Sequence, residues 1–113
     1  KGKGYKPAEG HTQRLHASTP FDKMTGEAIK KGASAPSYTK IFGEALVEIV
    51  KSNSKVIGIT GAMPDGTGLD HLQKHCPKNY FDVGIAEEHG VTFAAGMATQ
   101  GIIPVVAIYS KRI

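Results

Sequence analysis

Residues 80–109, YFDVGIAEEHGVTFAAGMATQGIIPVVAIY, contain the feature that most constrains the fold of this chain. An apolar run leads into a turn with two acids, Glu87 and Glu88, and then into a segment rich in Gly and Ala. A second apolar run follows it. A strand, a helix and another strand at this spacing predict a right-handed βαβ unit, and therefore a parallel sheet. In such sheets ligands bind where strands end and helices begin, which is where the two acids lie.

The sequence before this stretch extends the same alternation of strands and helices. Between 38 and 52, apolar residues recur at helical spacing, and VIGIT at 56–60 is a short apolar run of the kind that forms a buried strand. The predicted elements are a helix over 38–52, a strand over 56–60, a loop over 61–68, a short helix over 69–75, a strand over 80–83, a helix over about 87–100 and a strand over 103–109. The fold class is therefore α/β with a parallel sheet.

The predicted helices have apolar faces and capping signals. Ser37 or Thr39 can cap the first helix, and Lys40–Glu44 and Glu48–Lys51 are spaced to form ion pairs on its polar side. Its predicted apolar stripe consists of Ile41, Phe42, Ala45, Leu46, Ile49 and Val50. The last helix has a predicted small-residue face of Val91, Ala94, Ala95 and Ala98.

Length and composition indicate part of one ordinary globular domain. The chain has 113 residues, 40% of them hydrophobic and 21% charged, and no apolar run reaches the roughly 18 residues of a membrane helix. We expect residues 1–36, rich in Gly, Pro, Ser and Lys, to be an irregular interdomain linker and residues 37–113 to be a partial domain. Three strands with two open edges suggest that a remainder is missing. We expect no signal peptide, since the first residues lack an apolar segment.

The charge and the single cysteine further limit the partners. Residues 1–35 carry seven Lys or Arg and three Asp or Glu, so the net charge of +4 lies in the predicted linker. Few aromatic residues accompany these cations, which favours a solvated linker and no nucleic-acid partner. Cys76, as the only cysteine, excludes an internal disulfide and suits a reducing cytosol.

Two motifs suggest other chemistry. GITGAMPDGTG follows a strand, as in the nucleotide loop of short-chain dehydrogenases, and Asp82 could act as the ribose-binding acid. The glycine spacing is one residue too long, however, and the loop does not open a long helix. His71 and His75 share a helix face and could bind zinc, but the sequence offers no second group of ligands outside the linker, which favours ordinary surface histidines.

The run Glu87-Glu88-His89 is the remaining candidate for chemistry. Acids in the first turn of a helix complement the helix dipole, and this alone could explain both. The small residues around them leave room for a ligand, and the apolar flanking strands predict partial burial of a carboxyl group here. Burial suits a carboxylic acid to proton exchange near neutral pH.

These residues carry a resemblance to a known family. The run IAEEHGVTFAAGMA followed by PVVAIYS, with SYTKIFGEALVEIV and ITGAMPDGTGL upstream, closely resembles the 1-deoxy-D-xylulose-5-phosphate synthases. The resemblance spans nearly the whole chain. It implies the fold of a thiamine diphosphate-binding pyrimidine domain, here partial and preceded by a linker.

The resemblance implies an activity and a set of partners. These transketolase-like transferases condense pyruvate with glyceraldehyde 3-phosphate and release CO2, using thiamine diphosphate and Mg2+. The reaction begins the non-mevalonate isoprenoid pathway and also feeds thiamine and pyridoxal synthesis. The family implies a homodimer in a bacterial cytoplasm or a plastid, with no membrane partner.

The resemblance also assigns roles to individual residues. Glu87 would be the catalytic acid that hydrogen-bonds N1′ of the cofactor's pyrimidine, and Ile85 would support the bent cofactor. Ala62 and Met63 would line the cofactor cleft, and Tyr109 would lie near the substrate. Glu88 and His89 receive no catalytic role. The Mg2+ ligands are expected outside this chain.

The end of the chain departs from the family pattern. An aromatic residue and a basic stretch are expected after AIYS, where this sequence reads Ser110-Lys111-Arg112-Ile113. Without the groups that hold the diphosphate, we expect the 113-residue chain alone to be inactive. The alternatives are another thiamine diphosphate enzyme, such as a transketolase or a 2-oxo acid dehydrogenase β subunit, a nucleotide-dependent reductase, or a non-catalytic interaction domain.

Overall fold

The chain forms two compact units in a computed structural model, Lys1–Ala35 and Pro36–Ile113. The structure describes residues 3–10, 19–29, 32 and 35–109. None of the helices within these ranges has the length and apolar character needed to cross a membrane. The divergent end at residues 110–113, like His11 and His16, lies outside the described residues.

Within its described residues, the first unit contains one helical turn and one local pairing. Helix α1, Lys6–Glu9, starts with a proline at its second position, which is favourable in the first turn. Phe21 and Ala28 form a single antiparallel bridge around a turn in which the Asp22 carboxylate accepts the backbone N–H of Met24 at 2.7 Å. The sequence did not predict the turn of helix, and the role of this unit as a linker stays a prediction.

The second unit is built on three parallel strands. Strand β1 is Val56–Thr60, β2 is Tyr80–Asp82 and β3 is Ile103–Ala107, and their order in the sheet is β2-β1-β3. All five residues of β1 are buried, as the apolar run predicted. The predicted parallel sheet is confirmed. β3 ends two residues earlier than predicted.

In the described part of the second unit, helix α2 at Tyr38–Ser52 precedes β1, and three further helices and a short 3-10 turn connect the strands. These are α3 at Pro64–Thr67, α4 at Leu69–His75, the 3-10 turn at Pro77–Asn79 and α5 at Glu87–Ala98. Helices α2 and α4 cover one face of the sheet and α5 covers the other. Alternate residues of β1 point to opposite faces, so this strand contributes side chains to both.

The core accordingly has two parts. On the side of α2 and α4 the buried residues are Leu46, Val47, Val50, Val56, Leu69 and Leu72. On the side of α5 they are Ile57, Ile59 and Ala94, packed against the half-buried Phe81, Val83, Phe93, Met97, Ile102 and Val106. The two apolar layers hold β1 at the centre of the unit.

Helix α2 begins and ends where the sequence predicted. Ser37 is its N-cap, and its side chain accepts the backbone N–H of Lys40 at 3.2 Å. Both predicted ion pairs form, Lys40–Glu44 at 3.8 Å and Lys51–Glu48 at 2.9 Å. They are exposed to solvent, so each contributes little to stability.

The predicted apolar stripe of α2 is wrong at four of its six residues. Leu46 and Val50 are buried as predicted, but Ile41, Phe42, Ala45 and Ile49 are exposed, and Gly43 and Val47 are buried instead. A side chain at Gly43 would collide with the backbone carbonyl of Gly68, so this glycine lets the two backbones approach closely. The closest approach of α2 to its neighbours therefore centres on Gly43 rather than on the larger apolar residues.

Two further predictions need correction. The predicted loop over 61–68 contains helix α3, which Pro64 begins and Gly68 ends in a left-handed conformation with φ of 79°. In α5 only Ala94 of the predicted small-residue face is buried, and Gly90 is buried beside it. A Cβ at Gly90 would lie 3.3 Å from Val83 and 3.6 Å from Ile59, so α5 rests on the sheet through this glycine.

Candidate functional site

The carboxyl ends of the three strands meet at one edge of the sheet, because the strands are parallel. The predicted site residues follow those ends: Ala62 and Met63 come after β1, Ile85 and Glu87 after β2, and Tyr109 after β3. Parallel topology thus brings residues that are far apart in sequence to the same edge, where open α/β sheets bind their ligands.

Asp82, the last residue of β2, joins two of the loops at this edge. Its Oδ1 atom accepts the backbone N–H of Ala62 at 2.7 Å and that of Gly84 at 2.9 Å. The Tyr80 hydroxyl donates to the other carboxylate oxygen at 3.4 Å. Burial, followed by the charge and hydrogen bond of Asp82, raises the pKa of Tyr80 to about 12, so this hydroxyl stays protonated at neutral pH.

The loop after β1 has an unusual backbone conformation. Ala62 has a φ of +57°, and no other non-glycine residue in the described part of the chain has a positive φ. This conformation costs an alanine about 1 kcal/mol or more, and it persists where the surrounding contacts stabilise it. The hydrogen bond from its N–H to Asp82 is one such contact. Met63, the next residue, has 44% of its surface exposed and forms an apolar patch at the edge.

The turn after β2 leads directly to Glu87, the first residue of α5. Gly84 has a φ of +71°, and its carbonyl accepts the N–H of Ala86 at 2.8 Å, which closes a tight turn. Ile85, at the tip of this turn, is 89% exposed. An exposed apolar side chain two residues before a carboxylate offers a ligand both an apolar and a polar contact.

Glu87 is exposed in the structure. The predicted partial burial of its carboxyl group is therefore wrong. The apolar flanking strands do not enclose it, because β2 ends at Asp82 and the turn carries Glu87 beyond the sheet. Its side chain lies next to Gly61: a Cβ at Gly61 would be 3.3 Å from Glu87 Cγ and 3.2 Å from the carbonyl oxygen of Gly84. Gly61 therefore leaves the space in which the Glu87 side chain lies.

The two residues after Glu87 have different surroundings. Glu88 is exposed in the first turn of α5, where its charge complements the helix dipole. His89 stacks on Phe93 with ring centroids 6.0 Å apart and an interplanar angle of 9°. The expectation that neither residue has a catalytic role stays a prediction.

Tyr109, after β3, contacts the end of helix α3. Its hydroxyl donates to the carbonyl oxygen of Gly66 at 2.7 Å, and a side chain at Gly66 would collide with this hydroxyl. Thr67, buried next to Gly66, donates from its hydroxyl to the carbonyl of Met63 at 2.7 Å. These contacts border an open cavity of about 250 Å3, lined by Tyr38, Thr39, Phe42, Gly66, Thr67, Ala107, Ile108 and Tyr109.

The geometry does not favour a dinucleotide at the glycine-rich loop. The helix that follows, α3, has four residues, which is too short for its N-terminus to bind a pyrophosphate well. Asp82, the candidate for ribose binding, already accepts two backbone N–H groups. The loop is connected to β2 by these bonds instead.

His71 and His75 lie away from this edge. They line a cavity of about 330 Å3 between α2 and α4 together with Glu44, Val47, Glu48 and Lys51. Within the described ranges, no three His, Cys, Asp or Glu side chains are arranged to hold a metal ion. Glu44 and Glu48 instead pair with lysines of their own helix.

Sequence reasoning missed the bridging role of Asp82 and the contacts of Gly61 and Gly66. Half of the Asp82 interaction had a local signal, since aspartate commonly accepts the N–H two residues later in a turn, here that of Gly84. The other half joins residues 20 positions apart, and only the pairing of β1 with β2 brings them together.

Comparison with known proteins identifies the fold that carries this edge. A family model described as the transketolase pyrimidine-binding domain matches residues 34–111, which is most of the chain. The chain belongs to this family. The predicted fold class, a partial parallel α/β domain of the pyrimidine-binding type, is therefore confirmed.

Curated relatives extend the similarity through the first unit. The chain is 54% identical over 110 residues to a 1-deoxy-D-xylulose-5-phosphate synthase of Natranaerobius thermophilus. It is 56% and 59% identical over 111 residues to synthases of the same name from Prochlorococcus marinus strains MIT 9303 and MIT 9211. Each match covers 97% of this chain but only 17% of the relative. The resemblance to these synthases is confirmed, and the chain spans about a sixth of their length.

Proposed function

We propose that this pyrimidine-binding segment acts within a 1-deoxy-D-xylulose-5-phosphate synthase. Such a transferase condenses pyruvate with D-glyceraldehyde 3-phosphate and releases CO2. Its product is the first intermediate of the non-mevalonate isoprenoid pathway and also feeds thiamine and pyridoxal synthesis. In this proposal residues 1–36 are an interdomain linker and residues 37–113 are part of the pyrimidine-binding domain. The complete enzyme is a homodimer in a bacterial cytoplasm or a plastid.

The observation that carries the proposal is the position of Glu87. This carboxyl group begins α5 at the carboxyl edge of the sheet, two residues after the exposed apolar side chain of Ile85. No atom lies within 4 Å of a Cβ built at Gly84, and Gly61 leaves the space in which the Glu87 side chain lies. An acid beside an exposed apolar side chain fits a flat heterocycle with a ring nitrogen that accepts a hydrogen bond.

The cofactor we propose is thiamine diphosphate, and the residues at the edge fit its pyrimidine. When bound, this cofactor supplies the nucleophilic carbon and the electron sink for decarboxylation. Glu87 would hold a proton at pyrimidine N1′, and Ile85 would support the bent form of the cofactor. Ala62 and Met63 would line the cleft, and Tyr109 would border the substrate. The diphosphate and Mg2+ would be held by groups outside this chain.

The contacts of this chain define what each residue can contribute. Glu87 can reach N1′ of a bound pyrimidine because its side chain is exposed and its backbone is fixed by the start of α5. Ile85 has most of its surface available for an apolar contact. Tyr109 contacts the end of α3 through the carbonyl of Gly66 and so helps to fix the border of the site.

The test uses a synthase of the relatives' full length that contains residues 1–113 of this sequence, which we call the full-length enzyme. Glu87→Gln keeps the size and hydrogen-bonding ability of the side chain but removes its exchangeable acid proton. We expect kcat for deoxyxylulose phosphate formation to fall about 100-fold or more, as general acid–base groups typically contribute this much.

Glu88→Gln is the matched control, because Glu88 is the adjacent exposed acid in the same helical turn. It should leave kcat within about twofold of the unmodified enzyme, since a helix-dipole contact affects stability more than chemistry. Equal activity of the two variants would contradict the role of Glu87 and favour a non-catalytic domain. Assays with transketolase and 2-oxo acid dehydrogenase substrates distinguish the other enzymes that use this cofactor.

A further inference from the structure

Asp82 connects the two loops that carry the proposed cofactor residues. We propose that Asp82 is a positioning residue, which acts on the cofactor through Ala62 and Glu87. The inference rests on the proposed function of this edge. The resemblance to known synthases assigned Asp82 no role, and its carboxylate need not touch the cofactor to act in this way.

One oxygen atom of Asp82 joins two loops. Asp82 Oδ1 accepts the N–H of Ala62 from the loop after β1 and the N–H of Gly84 from the turn after β2. Both N–H groups belong to residues with left-handed backbone conformations, at φ of +57° and +71°. Because an alanine rarely adopts such a conformation without support, the bond to Asp82 helps to hold Ala62 in place.

The position of Glu87 depends on the distance between the loop after β1 and the turn after β2. Gly84 is three residues before Glu87, and the turn between them is closed by the bond from Ala86 N–H to the Gly84 carbonyl. A Cβ atom added at Gly61 would lie 3.2 Å from the Gly84 carbonyl oxygen and 3.3 Å from Glu87 Cγ. The two loops are therefore in close contact around the Glu87 side chain, and moving one loop relative to the other changes its surroundings.

Among the described residues, Asp82 takes part in no ion pair that would compete with its hydrogen bonds. In the part of the chain that the structure describes, the ion pairs are Lys40–Glu44 and Lys51–Glu48. The hydrogen bonds of the Asp82 carboxylate go to the two backbone N–H groups and to the Tyr80 hydroxyl, which stays protonated at neutral pH. The acid thus holds backbone at the edge of the site.

The experiment compares Asp82→Ala and Asp82→Asn in the full-length enzyme, by calorimetric titration with thiamine diphosphate in the presence of Mg2+ and by thermal melting. Asparagine keeps an oxygen at the position of Oδ1 and can still accept both N–H groups. We expect Asp82→Ala to raise the dissociation constant about tenfold or more, and Asp82→Asn to stay within about threefold of the unmodified enzyme.

Asn79→Ala is the matched control for a general loss of stability. The Asn79 side chain also makes two hydrogen bonds to backbone, to the carbonyls of Ser54 at 2.9 Å and Val56 at 2.8 Å, but at the opposite end of β1. It should lower the melting temperature about as much as Asp82→Ala while leaving cofactor affinity unchanged. Equal cofactor affinity of Asp82→Ala and Asn79→Ala would overturn the inference.

Two further results keep the interpretation clear. If Asp82→Ala does not fold, Asp82→Glu replaces it, because the added methylene prevents one oxygen from reaching both N–H groups without moving a loop. Asp82→Glu should raise the dissociation constant about threefold or more, and unchanged affinity would refute the positioning role. Failure of the unmodified enzyme to bind thiamine diphosphate would instead refute the proposed function and, with it, the role of Asp82.

Discussion

The close approach of α2 to α4 at Gly43 leads to a prediction about stability. In Gly43→Ala the new Cβ would collide with the carbonyl oxygen of Gly68 and would lie 3.2 Å from its carbonyl carbon and 3.0 Å from His71 Cδ2. The obstacle is backbone, which cannot move aside as the end of a flexible side chain can. Relief of the collision requires α2 to move away from the start of α4.

The magnitude follows from two opposing terms. Overpacking of a well-packed contact costs about 1–3 kcal/mol, and the backbone obstacle favours the upper part of that range. Alanine is favoured over glycine in a helix interior by about 1 kcal/mol, which offsets part of the cost. We therefore expect Gly43→Ala to lower the free energy of unfolding of the 113-residue chain by about 1–2 kcal/mol.

Gly96→Ala is the control, since Gly96 is also inside a helix but no atom lies within 4 Å of its Cβ position. It should raise the free energy of unfolding by up to about 1 kcal/mol through helix propensity alone. Urea unfolding followed by far-ultraviolet circular dichroism measures both variants. If Gly43→Ala proved as stable as Gly96→Ala, the reasoning about the α2–α4 contact would be wrong.

Two further predictions concern the candidate site. Gly61→Ala in the full-length enzyme should lower kcat about tenfold, because its Cβ would lie 3.3 Å from Glu87 Cγ and displace the acid by a few tenths of an ångström; a kcat equal to that of the unmodified enzyme in steady-state assays would count against this packing. The 113-residue chain alone should form no deoxyxylulose phosphate from pyruvate and glyceraldehyde 3-phosphate, since the proposed diphosphate and Mg2+ groups lie outside it, and measurable steady-state product would contradict that expectation.

The sequence predicted the elements of the second unit well because their signals are local. Ser37 marks the start of α2, and the five-residue apolar run of β1 is bounded by turn residues. The meeting of the proposed site residues at one edge also followed from the sequence, because parallel strands place all of their carboxyl ends together. The roles of those residues came from the resemblance and remain to be tested.

The features that sequence reasoning missed depend on contacts between distant residues. Gly43 is buried because a backbone 25 positions away passes over it, so the apolar pattern of α2 alone was wrong at four of six residues and missed Gly43. The bond between Asp82 and Ala62 likewise requires the pairing of β1 with β2. Glu87 was expected to be partly buried because its flanking strands are apolar, but the turn extends it past the end of the sheet.

The strand order also has a consequence for how the second unit is assembled during synthesis. Strand β1 lies at the centre of the sheet but leaves the ribosome first, and its partners at Tyr80 and Ile103 follow much later. Until both have emerged, VIGIT is a largely apolar segment with unpaired backbone on each side, which is the kind of segment that associates with other chains. Between the emergence of β1 and that of β3, this segment of the nascent second unit is therefore open to aggregation and to chaperone binding.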